Sequence, residues 1–211
     1  RAGMNESELF AEFQYASLKN GGTDQGYEPI IAGGWNATTL HYTHNNETLK
    51  HGDLILVDAG AECEYYTADI THTFPVSATF SPDQKIIYQK VLETNRAVTA
   101  LMKPGVTYRA LHTRSVEMLT EALLSIGVLS GTLEENLEQK NYRTYYPHGV
   151  GHHLGLDVHD AGIYDDRGVD FVLTAGMVLT VEPGLYFRER GNRFYGIGVR
   201  IEDDVLITAN G

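Results

Sequence analysis

Between His148 and Asp160 the chain reads HGVGHHLGLDVHD, four histidines and two aspartates in thirteen residues with glycines between them. Imidazoles at that density are a poor packing device, because each brings two polar nitrogens that need partners. They suit a metal site, where neutral imidazole is a ligand and a spare imidazole carries protons near neutral pH. Four acids elsewhere complete a possible ligand set. Asp58 closes the apolar run DLILVD (53–58), and Glu182 closes MVLTVE (177–182). Asp69 and Glu202 interrupt strand-like segments. An ionised carboxylate in apolar surroundings is costly unless it is paired or coordinated. Arg200 could neutralise one of them, but four acids with few nearby cations call for more. Two divalent ions would set +4 against the −4 of Asp58, Asp69, Glu182 and Glu202. Carboxylate-rich ligation with one imidazole favours hard or borderline ions such as Mn²⁺, Co²⁺, Zn²⁺ or Fe²⁺. A metal pair of that kind supports hydrolysis, by supplying a hydroxide and steadying a tetrahedral intermediate. The remaining histidines would move protons or donate to the oxyanion.

Taken singly, each residue has a plainer reading. Asp58 and Glu182 fit strand ends before a glycine turn, and Asp69 fits a solvated strand acid. Glu202 fits a solvated edge with Asp203 and Asp204, and His41 and His44 fit a wet loop. Only their joint order argues for metal.

The elements that must position these groups are legible in outline. Asn5 to Asn20 reads as an amphipathic helix, with Asn5 as cap and Glu8 at the reciprocal position. Residues 27–45 read as a short strand and a long loop ending near His41 and His44. The run 53–58 reads as a strand covered on both faces. Glu64 to Phe74 is expected as a second strand, with Asp69, Thr71 and Thr73 on its polar face. Ser81-Pro82-Asp83-Gln84 starts a helix to about Met102. A second helix spans about Tyr108 to Ile126, and Thr132 to Glu135 could open a short one. The last strands fall within Tyr195 to Thr208. Gly52–Gly60 and Gly176–Gly184 echo each other as glycine, apolar strand, acid, small residue, glycine. A second acid follows each, Asp69 and then Glu202, which suggests two related halves with acids at their interface.

Composition sets bounds. The 211 residues, 42% apolar and 21% charged, are enough for one large domain with a real core. No linker divides the chain, so 1–211 is expected to be a single domain. The net charge of −12 argues against nucleic acid or an anionic membrane as partner. No apolar run reaches membrane-spanning length. The lone Cys63 suits a reducing compartment, and a cytoplasmic location is the expectation.

Six motifs carry a family resemblance: LHYTHN (40–45), VDAG (57–60), ADITHTFPV (68–76), HGVGHHLGLDVHD (148–160), TVEPGLY (180–186) and GVRIEDDVLIT (198–208). In this order they resemble the pita-bread (M24-type) metallopeptidases, and within them the Xaa-Pro aminopeptidases and prolidases. The resemblance implies an α+β pita-bread fold: two pseudo-symmetric halves, with a curved, mostly antiparallel sheet backed by helices. It implies two divalent ions, usually Mn²⁺ in this branch, on Asp58, Asp69, His152, Glu182 and Glu202, with Asp69 and Glu202 bridging. It implies Glu182 as general base, and His41 and His159 as catalytic groups that bind substrate and steady the intermediate. His148 and Tyr186 would line the pocket, and Arg200 would hold the bridging acids. His153 receives no catalytic role. The substrate implied is a peptide with proline in second position, cleaved by an aminopeptidase; a dipeptidase and a non-catalytic binding module are the alternatives. Relatives of this kind carry an upstream domain and a first catalytic helix that this chain is expected to lack, and homo-oligomers are expected of the full-length protein.

Overall fold

The computed structural model describes residues 1–162 and 171–210. Helix α1 (Glu6–Lys19) leads into β1 (Asp24–Gln25), β2 (Ile30–Gly33) and a 3₁₀ turn (Gly34–Thr38). Strands β3 (Leu54–Asp58), β4 (Ala61–Cys63), β5 (Tyr66–Thr67) and β6 (Thr71–Pro75) follow. Then come α2 (Pro82–Thr99), α3 (Tyr108–Ser125), α4 (Leu133–Glu138) and a second 3₁₀ turn (Asn141–Thr144). Strands β7 (Val178–Val181), β8 (Gly184–Tyr186), β9 (Gly198–Arg200) and β10 (Asp203–Leu206) close the chain.

The helix starts are where the capping chemistry puts them. The Asn5 side chain accepts from Ser7 N at 2.9 Å, and Glu8 reaches back to Asn5 N at 2.7 Å. Ser81 and Gln84 make the reciprocal pair that opens α2. That helix ends at Thr99 rather than Met102, because the N–H groups of Leu101 and Met102 bond back only three residues, tightening the last turn.

All the strand pairs are antiparallel among the described residues. In the first half β3 lies between β2 and β6, and its residues are buried but for a half-buried Val57, as the apolar run required. In the second half β7 pairs with β10, and β8 with β9. Helices α2 and α3 cover the sheet through Ile87, Val91, Leu119 and Leu123, which pack on Leu185, Phe187, Val199 and Ile201. Each such side chain contributes roughly 1.5–3 kcal/mol by leaving water.

One expectation is corrected and a second is sharpened. The strand expected over Glu64–Phe74 is two pieces, β5 and β6. Glu64 and Tyr65 adopt positive φ at the β4–β5 turn, and the chain then leaves that small sheet to join β3. Thr71 and Thr73 do share a face, but that face is inward: both are buried, while His72 and Phe74 are exposed. The reason is the second half. Thr71 Oγ1 donates to Glu202 Oε2 at 2.7 Å, and Thr73 Oγ1 donates to the Arg200 carbonyl at 2.9 Å. The Glu202 N–H donates to the Thr71 carbonyl at 2.9 Å. The halves are therefore joined by a polar seam. No helix among the described residues is long and apolar enough to cross a membrane.

Candidate metal centre

The seam gathers the acids. Asp58 ends β3 opposite Thr71, and Asp69 lies just before β6. Glu182 follows β7 directly, and Glu202 sits between β9 and β10. The stretch from Val150 to Leu154 runs along β7: Glu182 N donates to Val150 O at 2.8 Å, and Thr180 N to His152 O at 2.9 Å. This contact requires Gly151, since a Cβ there would collide with the Thr180 carbonyl. Gly60 is needed likewise, where the Ala68 carbonyl passes.

These elements line a cavity of about 400 Å³. Its walls include Asp58, Asp69, His152, Glu182 and Glu202, together with His41, His148, His159 and Arg200. One ligand atom from each of Asp69, His152 and Glu202 falls within 4.8 Å of the others, a spacing that a metal ion could bridge. His152 Nε2 lies 3.3 Å from Asp69 Oδ2 and 3.7 Å from Glu182 Oε1. Its Nδ1 is 3.0 Å from the His153 carbonyl, which can only accept, so the Nδ1 proton is fixed there. Nε2 therefore faces the carboxylates. Burial would lower His152, but the protonated Nε2 donates to Asp69 and so raises it above its ordinary value. Once deprotonated, Nε2 presents a lone pair to a cation, the arrangement of a metal-ligating histidine. Among the described residues, Glu202 Oε1 is buried without a hydrogen-bond partner. Lone pair, orphaned oxygen and carboxylate-rich donor set all fit a hard or borderline divalent cation.

The charges are frustrated without one. The four candidate ligand carboxylates share the cavity with an exposed Glu28 and one guanidinium, and Arg200 Nη2 is bound to Asp58 Oδ2 at 2.5 Å. Burial pushes Glu182 up to about 7, with Arg200 and His152 opposing. Burial also pushes Glu202 well above the carboxylate range, and the neighbouring acids add to it. Burial raises Asp58 too, against Arg200. Asp69 goes the other way: burial would raise it, but hydrogen bonds from His152 and Tyr27 hold it low. His148 is neutral, lowered to about 3 by burial and then by Arg200. Its Nδ1 donates to the Gly149 carbonyl at 2.8 Å, so its Nε2 accepts from Tyr186 Oη at 2.9 Å.

Tyr186 sits differently from its expected place on the pocket wall. It is buried behind His148, and its hydroxyl accepts from Arg200 Nη1 at 3.0 Å. Arg200 thereby connects Asp58 to Tyr186 and His148. His159 is exposed, its ring 4.3 Å from that of His152, and His41 is an exposed part of the opposite wall. His153 packs on Phe171. Two residues went unread in the sequence. Tyr27 Oη lies 2.5 Å from Asp58 Oδ1 and 2.6 Å from Asp69 Oδ1, spanning two proposed ligands. The Asp204 carboxylate accepts the Asp69 N–H at 3.0 Å. A pairing of YEPII with DLILVD would have placed Tyr27 near Asp58, since Ile30 pairs with Asp58.

A carboxylate-rich, histidine-bearing cavity on the seam of a two-halved α+β fold defines a metallopeptidase class, and residues 1–209 match metallopeptidase family M24. The chain belongs to that family. It is 45% identical over 188 residues to the Xaa-Pro aminopeptidase of Haemophilus influenzae, covering 88% of this chain and 44% of that protein. It is 41% identical over 215 residues to the Xaa-Pro aminopeptidase of Escherichia coli, covering all of this chain and 48% of that one. The chain thus spans less than half the length of these curated relatives. Among solved structures, a Pseudomonas aeruginosa aminopeptidase superposes with a TM-score of 0.97 at 44% identity, over all of this chain and 49% of that one. A zinc-substituted Escherichia coli aminopeptidase P in complex with product gives 0.96 at 40% identity, over all of this chain and 48% of that one. The fold is the expected pita-bread fold.

Proposed function

We propose that this chain is the single catalytic domain of an Xaa-Pro aminopeptidase, hydrolysing the bond between an N-terminal residue and a following proline. The observation that carries the reading is the convergence of Asp58, Asp69, His152, Glu182 and Glu202 on one cavity that His41 and His159 also line. The names of the relatives, Xaa-Pro aminopeptidases in two bacteria, support the substrate class and favour an aminopeptidase over a dipeptidase.

Asp58, Asp69, His152, Glu182 and Glu202 would hold two divalent ions, Mn²⁺ by the family resemblance. Bound there, such ions supply a water acidic enough to attack at neutral pH. Glu182 takes a proton from the attacking water and returns it to the departing proline nitrogen, the role of a general base turned acid. That nitrogen carries no hydrogen in the peptide, so it leaves as an amine only when protonated. His41 and His159 donate to the carbonyl oxygen as charge builds on it. His148, kept neutral against Tyr186, offers a fixed polar edge beside Glu182, its Nδ1 lying 3.7 Å from Glu182 Oε2. Arg200 and Tyr27 orient Asp58 and Asp69 from behind.

The test compares Mn²⁺-loaded protein on Xaa-Pro-Yaa tripeptides, on Gly-Pro and on peptides lacking proline, with Glu182→Gln as control. Release of Xaa from the tripeptide, abolished in the variant, is expected. Cleavage of Gly-Pro alone would make the protein a dipeptidase. Undiminished turnover by Glu182→Gln would remove that residue from the mechanism.

A further inference from the structure

Glu6 is a fully buried carboxylate that the reaction above does not use. It stands in the first turn of α1, yet turns away from solvent into the loop that follows β2. Its Oε1 accepts from Gly33 N at 2.7 Å and from Asn36 Nδ2 at 3.1 Å. Its Oε2 accepts from Tyr42 Oη at 2.8 Å and from Glu47 N at 2.9 Å. These four donors come from one segment, residues 33–47, whose only regular structure beyond the end of β2 at Gly33 is the 3₁₀ turn. A carboxylate buried among neutral donors is held at a desolvation cost, and in return makes charge-assisted bonds about twice as strong as neutral ones.

The segment it gathers carries Leu40, His41 and Thr43 on the cavity wall. Tyr42, the neighbour of His41, points the opposite way and is buried on Glu6. Asn45 fixes the far end. It adopts positive φ, accepts from Ile31 N and donates to the Pro29 carbonyl, both at 2.8 Å. β2 in turn pairs with β3, where Ile30 lies opposite Asp58. The loop is thus referenced to the strand that bears an acid of the centre, and Glu6 is the point where its start, middle and end converge.

We propose that Glu6 is a positioning residue, its buried carboxylate holding the 33–47 loop through Tyr42 in the conformation that presents His41 to the scissile peptide. The proposal rests on the aminopeptidase reading. Its test is a double-mutant cycle of Glu6→Gln with His41→Ala, on Mn²⁺-loaded protein and an Xaa-Pro-Yaa peptide. The Gln amide turns a donor toward donors, so kcat/KM falls between about tenfold and 100-fold, as expected for a misplaced group. The division between kcat and KM matches that of His41→Ala, metal content is unchanged, and adding Glu6→Gln to His41→Ala changes kcat/KM less than twofold. Tyr42→Phe, which removes one bond and keeps the ring, moves the same way by a smaller factor and replaces Glu6→Gln in the cycle if that variant fails to fold. Independent losses that multiply, unchanged turnover, or loss of metal would overturn the proposal. An inactive parent protein would overturn the aminopeptidase reading alone. The imidazole NMR signals then decide: a displaced His41 signal in Glu6→Gln with an unmoved His153 signal supports positioning, and an unmoved His41 signal refutes it.

Discussion

Replacing Glu182 by Gln should stabilise the metal-free protein at neutral pH. The Glu182 carboxyl is displaced from its ordinary 4.5 to about 7, with burial as the leading cause. A carboxyl raised in the folded state contributes stability below pH 4.5 and loses it as pH rises through about 7. At about 1.4 kcal/mol per pH unit, that loss amounts to about 3 kcal/mol. The side chain is 20% exposed, so solvent screens part of it and a gap of about 2 kcal/mol is expected. Gln has nearly the same shape and cannot ionise, so it avoids the loss. Denaturant unfolding of chelator-treated parent and Glu182→Gln at pH 4.5 and pH 7.5 measures it. The variant should be the more stable at pH 7.5, with Tm higher by roughly 4–8 °C, and the two should converge at pH 4.5. Comparing two proteins at each pH cancels the opposing contribution of His148, whose lowered value makes stability rise with pH in both. Saturating Mn²⁺ should reverse the order, because the parent gains binding energy that the variant largely lacks. A metal-free variant that is less stable than the parent at pH 7.5, or a gap independent of pH, would refute the claim that Glu182 is held in electrostatic frustration.

Tyr27→Phe removes the hydroxyl that reaches both Asp58 and Asp69; metal affinity measured by calorimetry should weaken about 10–100-fold while the far-UV spectrum is kept. Arg200→Met leaves Asp58 buried without its cation, and unfolding of the metal-free protein should show a loss of about 3–5 kcal/mol. Gly151→Ala forces the stretch bearing His152 away from Thr180, so both Mn²⁺ stoichiometry and stability should fall, the latter by about 1–3 kcal/mol.

How much of this was legible depended on whether the deciding contact was local. The caps at Asn5 and Ser81 involve residues three apart, and a sequence displays them. The buried strand ending in Asp58 announced itself because six residues sufficed. The Thr71 face illustrates the opposite case. Alternation fixes which side chains share a face, but which face turns inward depends on what lies across it. Here that partner is Arg200 and Glu202, about 130 residues later, so the polar face is the buried one. Glu6 was hidden by an adequate alternative, since an acid in the first turn of a helix is favoured by the helix dipole. Tyr27 stood in a loop among thirteen tyrosines, and nothing within that loop distinguishes it. Tyr186 was placed on the wall by resemblance. The spacing could not reveal that its hydroxyl is already engaged by His148 and Arg200.

The distribution of the proposed ligands between the halves has a consequence for how metal and fold are linked. Asp58 and Asp69 come from the first half, whereas His152, Glu182 and Glu202 come from the second. Around the acids the seam between them is held by hydrogen bonds of Thr67, Thr71 and Thr73, while apolar contact enters further off, at Leu54, which joins the cluster of Leu185, Val199 and Ile201. Around the acids its stability therefore rests on hydrogen bonds worth about 1 kcal/mol each, set against four converging carboxylates. Arg200 and the single Tyr27 proton offset part of that repulsion, and Glu202 Oε1 has no hydrogen-bond partner among the described residues. A cation bridging the seam can bind only when both halves are docked, so its binding energy is added to docking and to nothing in the unfolded chain. Metal removal should for that reason loosen the seam before it disturbs the apolar layer under α2 and α3. In hydrogen exchange, the Glu202 N–H, which bonds across the seam to Thr71, should lose protection on chelation. The N–H groups in the middle of α3, around Leu119, should keep theirs. Equal loss at both places would mean that the two halves and their helices unfold as one unit, and that the polar seam has no stability of its own to lose.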